Sequence, residues 1–232
     1  MTTTFITGAY KSLGYETARR LIEAGHTVLL GARDEQAGRA AAGKLGARFV
    51  RIDVTDDASV AAAAADVQAH EGTVDVLINN AGVHGPAGDP SGLTGADVLA
   101  VMDVNVAGVV RTTNAFLPLL RRSADPVVVN VTSGMGSLEA THDPARPEST
   151  YLAPVYTASK AALTMLTTQY AKAFPDIRIN AADPGYTATD FNGHSGPQTV
   201  TEGTDAVVKL ATEGPGHRSG RLVDRHEEIS WS

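Results

Sequence analysis

Short aliphatic and β-branched runs alternate with longer stretches of helical spacing along the whole chain. TTTFIT (residues 2–7) meets a glycine turn, and residues 14–24 then place Ala18, Leu21 and Ile22 on one helical face. TVLLGA (27–32) is apolar almost throughout, and Asp34 follows as the N-cap of an alanine-rich helix that ends near Gly46. ARFVRIDV predicts a third strand and residues 56–70 a third helix, in which the alanines at 61–65 supply helix propensity. The alternation continues through VDVLINNAG, a helical region over 97–122, the strand PVVVNVTS, a helix after Tyr156, the strand IRINAADPG, and a last helix followed by GRLVD.

Strands that are apolar on both faces and separated by helices indicate a parallel sheet covered on both sides. Two segments break the rhythm, near 138–155 and 190–200. Both follow strand ends, where ligands bind in open α/β sheets, and both are candidate substrate loops. A chain of 232 residues with 43% hydrophobic residues buries a sizeable core as one domain over 1–232. The net charge of -7 argues against nucleic acid and anionic membrane as partners. Cysteine is absent, which removes disulfides, thiolate catalysis and Cys-ligated metals. No apolar stretch reaches the roughly 18 residues of a membrane span, and no signal-peptide core is seen, so the expected location is cytoplasmic.

The first turn reads TGAYKSLG (7–14). Gly8 and Gly14 suit a tight turn and a close helix approach, and the helix end behind them offers free N–H groups and a positive dipole end to an anion such as a pyrophosphate. Ser12 stands where a second loop glycine is usual, and its hydroxyl can donate to phosphate. At the end of the second strand an acidic residue would bind a ribose 2′-hydroxyl, whereas an arginine accepts a 2′-phosphate. Here the chain reads GARD. Arg33 and Lys11 together give two cations for one phosphate, which favours NADP(H) while leaving NAD(H) possible.

YTASK (156–160) sets a phenol and an ammonium one turn apart on one helix face. A tyrosine with an ordinary pKa near 10 needs neighbouring positive charge to act as acid and base at neutral pH. TGAYKSLG, the Asp53–Val54 pair, NNAG at 79–82, VNVAG around Asn105, VNVTS ending at Ser133, YTASK and DPGYTAT at 183–189 occur in one order across most of the chain. Together they resemble the short-chain dehydrogenase/reductase family, in a form similar to its NADP-preferring carbonyl reductases.

The resemblance implies a doubly wound Rossmann fold and a tetrad of Asn105, Ser133, Tyr156 and Lys160. Tyr156 matches the residue that protonates a carbonyl oxygen as hydride arrives, and Ser133 the hydroxyl that holds that oxygen. Lys160 matches the residue that bonds the nicotinamide ribose and lowers the tyrosine pKa, and Asn105 the one that anchors a relay water. Gly8, Lys11, Ser12, Leu13 and Gly14 match the phosphate loop. Asp53 and Val54 match an adenine-contacting pair, and Asn80, Ala81 and Gly82 a segment alongside the cofactor. Pro184, Gly185, Tyr186, Thr187 and Thr189 match the stretch beside the nicotinamide. Ala32 stands where NAD-preferring relatives carry an acid.

Ser133 precedes Tyr156 by 23 residues, a wider gap than the family's usual dozen or so. The implied activity is reversible reduction of a ketone or aldehyde, with a small-molecule substrate and a homodimer or homotetramer formed through the helices near 98–120 and 156–174. A dinucleotide sensor without turnover, and an epimerase or dehydratase using the same Tyr–Lys pair, are the alternatives. His142 and His194 lie in the two loops without metal-ligand spacing, so no metal site is expected. Trp231 either packs over the pocket or anchors the tail.

Overall fold

A computed structural model describes residues 1–230 of the chain, so Trp231 lies outside the described residues. Seven parallel strands form one sheet: β1 (Thr3–Thr7), β2 (Thr27–Ala32), β3 (Arg48–Arg51), β4 (Val76–Asn79), β5 (Val127–Val131), β6 (Arg178–Ala182) and β7 (Leu222–Val223). Their order is β3-β2-β1-β4-β5-β6-β7, so the winding reverses between β1 and β4. Neighbouring residues in each strand serve opposite layers. Ile6, Leu30, Ile78 and Val129 face α1 (Ser12–Glu23), α2 (Glu35–Leu45) and α9 (Asp205–Thr212). Phe5, Leu29, Leu77 and Val128 face α3 (Asp57–His70), α5 (Gly108–Leu120) and the end of α7 (Pro154–Ala173). Burial on both faces is why these strands read as unbroken apolar runs. The result is the doubly wound Rossmann architecture.

Several boundaries differ from the sequence expectation. Helix α1 starts at Ser12, two residues early, where the Tyr15 N–H bonds the Lys11 carbonyl, and Ser12 adopts φ 48°. Strand β3 stops at Arg51, and the chain turns as the Asp56 N–H bonds the Asp53 carbonyl. The helix expected over 97–122 is α4 (Gly95–Met102) and α5 joined by a π-turn over Asp103–Ala107. Such turns collect at functional sites, and this one carries Asn105. Helix α7 begins two residues before Tyr156, with Pro154 in its first turn. The last helix is split by Thr204 into α8 (Val200–Gly203) and α9. The 138–155 segment holds α6 (Leu138–His142) and a 3₁₀ turn at Pro147–Thr150. Among the described residues no helix is long and apolar enough to cross a membrane.

Candidate active site

Every motif singled out in the sequence lies just past the carboxyl end of a strand or on a helix facing that edge. At β1, Gly8 adopts φ 64°, and a Cβ there would stand 3.0 Å from the Ala81 Cα. A Cβ on Gly14 would meet the Asn80 amide nitrogen at 2.5 Å and the Gly8 carbonyl at 2.6 Å, so α1 reaches its place only with glycine there. The Asn80 side chain donates to the Thr7 and Gly8 carbonyls, and the Asn80 and Ala81 N–H groups both bond the Thr7 hydroxyl. This segment therefore braces the loop from behind. Leu13 packs against Gly203.

The start of α1 suits an anion. Helices α2 and α3 are capped by the Asp34 and Asp56 side chains, whereas Lys11 at the N-cap of α1 makes no capping bond. The first-turn N–H groups are thus left for a ligand. Lys11 Nζ lies 3.2 Å from Asp190 in the opposite loop and over the Tyr10 ring. Arg33 is 78% exposed and stands 4.0 Å from Asp53, whose carboxylate also takes the Thr55 N–H and hydroxyl. Burial tends to raise the Asp53 pKa, but the Thr55 bonds and Arg33 outweigh it and hold the carboxyl below its ordinary value. Val54 packs on Gly108 beneath the π-turn.

The tetrad residues come from the π-turn, the end of β5 and α7. Lys160, 5% exposed, donates from Nζ to the Val131 carbonyl at 2.9 Å and sits 5.5 Å from the centre of the Tyr156 ring. Ser133 stands close enough to the Tyr156 side chain to favour its phenolate, so the wide sequence gap closes in space. Ser133 also accepts the Met135 N–H as the cap of a 3₁₀ turn. The Asn105 amide accepts from the Val83 N–H at 2.8 Å and donates to the Val83 carbonyl and the Ser159 hydroxyl, both at 2.9 Å. It ties the π-turn, the loop after β4 and α7 into one unit.

Burial depresses Lys160 to about 8, with the Asp183 carboxylate acting the other way. Tyr156 is shifted in the opposite sense to Lys160. Burial and then the negative charge of Asp183 push the phenol above its ordinary value, and Ser133 pulls less strongly down. The protein alone, with Lys160 bound to a backbone carbonyl, does not make an acidic phenol.

Asp183 was missed as a site residue. It is 4% exposed, is raised by burial, accepts the Gly185 N–H, and lies so close to Gly134 that an added Cβ there would stand 2.9 Å from its carboxylate. It thereby joins the turn after Ser133 to the stretch after β6. In that stretch the Thr187 hydroxyl donates to the Pro184 carbonyl, Thr189 caps the turn over Asp190–Asn192, and the Tyr186 hydroxyl meets that of Ser195. Thr187 and Thr189 are buried and Tyr186 is exposed. His142 bonds the Leu138 carbonyl and His194 pairs with Asp190. Among the described residues no group of three or more His, Asp or Glu side chains is placed to hold a metal ion.

The profile of the short chain dehydrogenase family matches residues 2–199. The chain belongs to the short-chain dehydrogenase family. Short-chain dehydrogenase anuI of Penicillium roqueforti is 36% identical, over 97% of this chain and 96% of its own. (-)-Isopiperitenone reductase of Mentha piperita is 32% identical, over 97% and 96%. Among solved structures, the NADPH-bound carbonyl reductase from chicken fatty liver superposes with a TM-score of 0.88 at 25% identity, over 100% of this chain and 99% of that one. This short-chain dehydrogenase is an NAD(P)-dependent oxidoreductase that exchanges carbonyl and alcohol groups on small molecules.

Proposed function

We propose that this short-chain dehydrogenase reduces a ketone or aldehyde with NADPH, through Tyr156. The observation that carries the proposal is the convergence on the Tyr156 phenol of Ser133, which favours its phenolate, and of Lys160, whose Nζ lies 5.5 Å from the centre of the ring. A carbonyl oxygen placed between the two hydroxyls accepts a bond from Ser133 and the proton from Tyr156. A phenol that stays protonated is in the correct state to donate in the reductive direction. Lys160 supplies the positive charge that stabilises the phenolate left behind, and Asn105 keeps the loop and helix around it in register.

Bound NADPH supplies the hydride. Gly8, Ser12, Leu13 and Gly14 would hold its pyrophosphate at the uncapped start of α1, and Lys11 and Arg33 its 2′-phosphate, which requires Lys11 to leave Asp190. Asp53, Val54, Asn80, Ala81 and Gly82 would flank the adenosine side, and Pro184, Gly185, Tyr186, Thr187 and Thr189 the nicotinamide side. Helices α4 and α7, which leave Leu99 and Met165 largely exposed, support assembly of a homodimer or homotetramer. Light scattering that gives a single monomer peak at micromolar concentration contradicts that assembly.

The test of function is consumption of NADPH and NADH across a panel of aldehydes and ketones. Faster turnover with NADPH is expected. Tight NADPH binding with no consumption across the panel would overturn the reductase and leave a dinucleotide sensor.

A further inference from the structure

Four rings from four separate segments meet over the tetrad. His84 stacks on Tyr156, with centroids 5.0 Å apart and planes within 16° of parallel. Phe191 meets His84 at 5.4 Å and Tyr156 at 5.6 Å, and Tyr151 meets His84 edge-on at 5.9 Å. These are separations and angles at which aromatic rings attract one another. The contributing segments are the loop after β4, the 138–155 insertion, the first turn of α7 and the turn over Asp190–Asn192.

This cluster is not a core. Phe5 and Phe116 are fully buried in the sheet layer, whereas Phe191 and Tyr151 remain 42% and 44% exposed, as are Val83 and Leu152, the chain neighbours of His84 and Tyr151. Apolar surface gathered at the mouth of a catalytic cleft marks the place of a ligand. The wall is also tied to the chemistry. Asn105 grips Val83 through both backbone groups, and the next residue is His84, whose ring bonds the Gly85 carbonyl and lies flat on Tyr156.

We propose that His84, Tyr151 and Phe191 are specificity-determining residues that select carbonyl compounds carrying a planar apolar ring. The ring packs on the open surfaces of Phe191 and Tyr151 while the carbonyl oxygen meets Tyr156 and Ser133. His84 is the piece that holds this wall at a fixed distance from the reacting phenol. A polyol or sugar substrate would leave the aromatic surface without a partner. The proposal rests on the carbonyl-reductase reading.

Acetophenone and cyclohexyl methyl ketone share a methyl ketone and differ in whether the six-membered ring is flat. Binding of each to the NADP⁺-loaded protein is measured by calorimetry, and reduction of each with NADPH is measured beside it. The wild type is expected to prefer acetophenone. Phe191→Leu and Tyr151→Leu keep the apolar bulk and remove the ring, and each is expected to shrink that preference about twofold to tenfold. Both positions are exposed, and unchanged NADP⁺ affinity verifies an intact fold. Equal binding of the two ketones by the wild type, or a preference that survives both substitutions, overturns the aromatic wall. Preferential binding of acetophenone without reduction of either ketone supports the wall and sinks the reductase reading instead.

Discussion

Past β1 and β2 the cations Lys11 and Arg33 stand in water, whereas Asp183 directly past β6 and Lys160 on α7 are buried. Arg33 is 78% exposed, and the Lys11 and Asp190 side chains are about half exposed. Lys160 and Asp183 are 5% and 4% exposed, and burial shifts both toward their neutral forms. An exposed cation costs little to keep and releases its partner readily, which suits a ligand that arrives and leaves. A buried ammonium is costly to keep and is strongly felt by its neighbours. Under the proposed function, the exposed cations would recognise the 2′-phosphate and the buried groups would serve proton chemistry.

Substitutions divide along the same line. Tyr156→Phe removes the proposed proton donor and is expected to lower kcat by about 10²–10⁴-fold, the range of general acid–base catalysis, measured by NADPH consumption. Lys160→Met is expected to lose about 10²-fold in kcat yet raise the melting temperature at pH 7. The sign follows from the depressed pKa. Between about 8 and 10.5 the unfolded chain holds more protons than the folded one, so wild-type stability gains as pH rises through that window. The advantage of Lys160→Met is therefore largest below pH 8 and fades toward 10.5; a stability advantage that grows with pH contradicts the assignment.

On the exposed side the effects are smaller. Arg33→Ala is expected to weaken NADPH about tenfold, leaving NADH affinity nearly unchanged, by loss of one charge-assisted contact to the 2′-phosphate. Equal losses for the two dinucleotides, read by fluorescence titration, would show that Arg33 does not touch that phosphate. Asp34→Ala removes a helix cap at 3.0 Å and is expected to cost about 1 kcal/mol in denaturant unfolding with unchanged kcat. Ser12→Gly relieves a left-handed serine at φ 48° but frees the unfolded chain, so a stability change under about 1 kcal/mol is expected.

Much of the scaffold was legible because the code there is local. Two-sided burial makes unbroken apolar strands, and Asp34 caps its helix as its position suggests. The tetrad positions came as a set from the ordered family motifs, although only Ser133 lies at a strand end, Asn105 being on the π-turn and Tyr156 and Lys160 on α7. The π-turn at Asn105 was not, since one wider turn barely alters apolar spacing and its cause is contact with Val83 and Ser159. The rise in the Tyr156 pKa comes from burial and from Asp183, neither of which its own neighbours in sequence reveal. Lys11 reads as a free cation until the fold brings Asp190 to it. His84 follows NNAG directly after Val83, but its stacking on Tyr156 needs four segments to converge.

The separation of the two halves is tested most directly by measuring NADPH Kd and saturated kcat together on Tyr156→Phe and on the double variant Lys11→Ala/Arg33→Ala. Tyr156→Phe should keep the wild-type Kd and lose turnover, while the double variant should bind NADPH at least tenfold more weakly and keep kcat at saturation. If Tyr156→Phe keeps most of its turnover, or if the double variant loses kcat as fully as affinity, the division of the cleft is wrong.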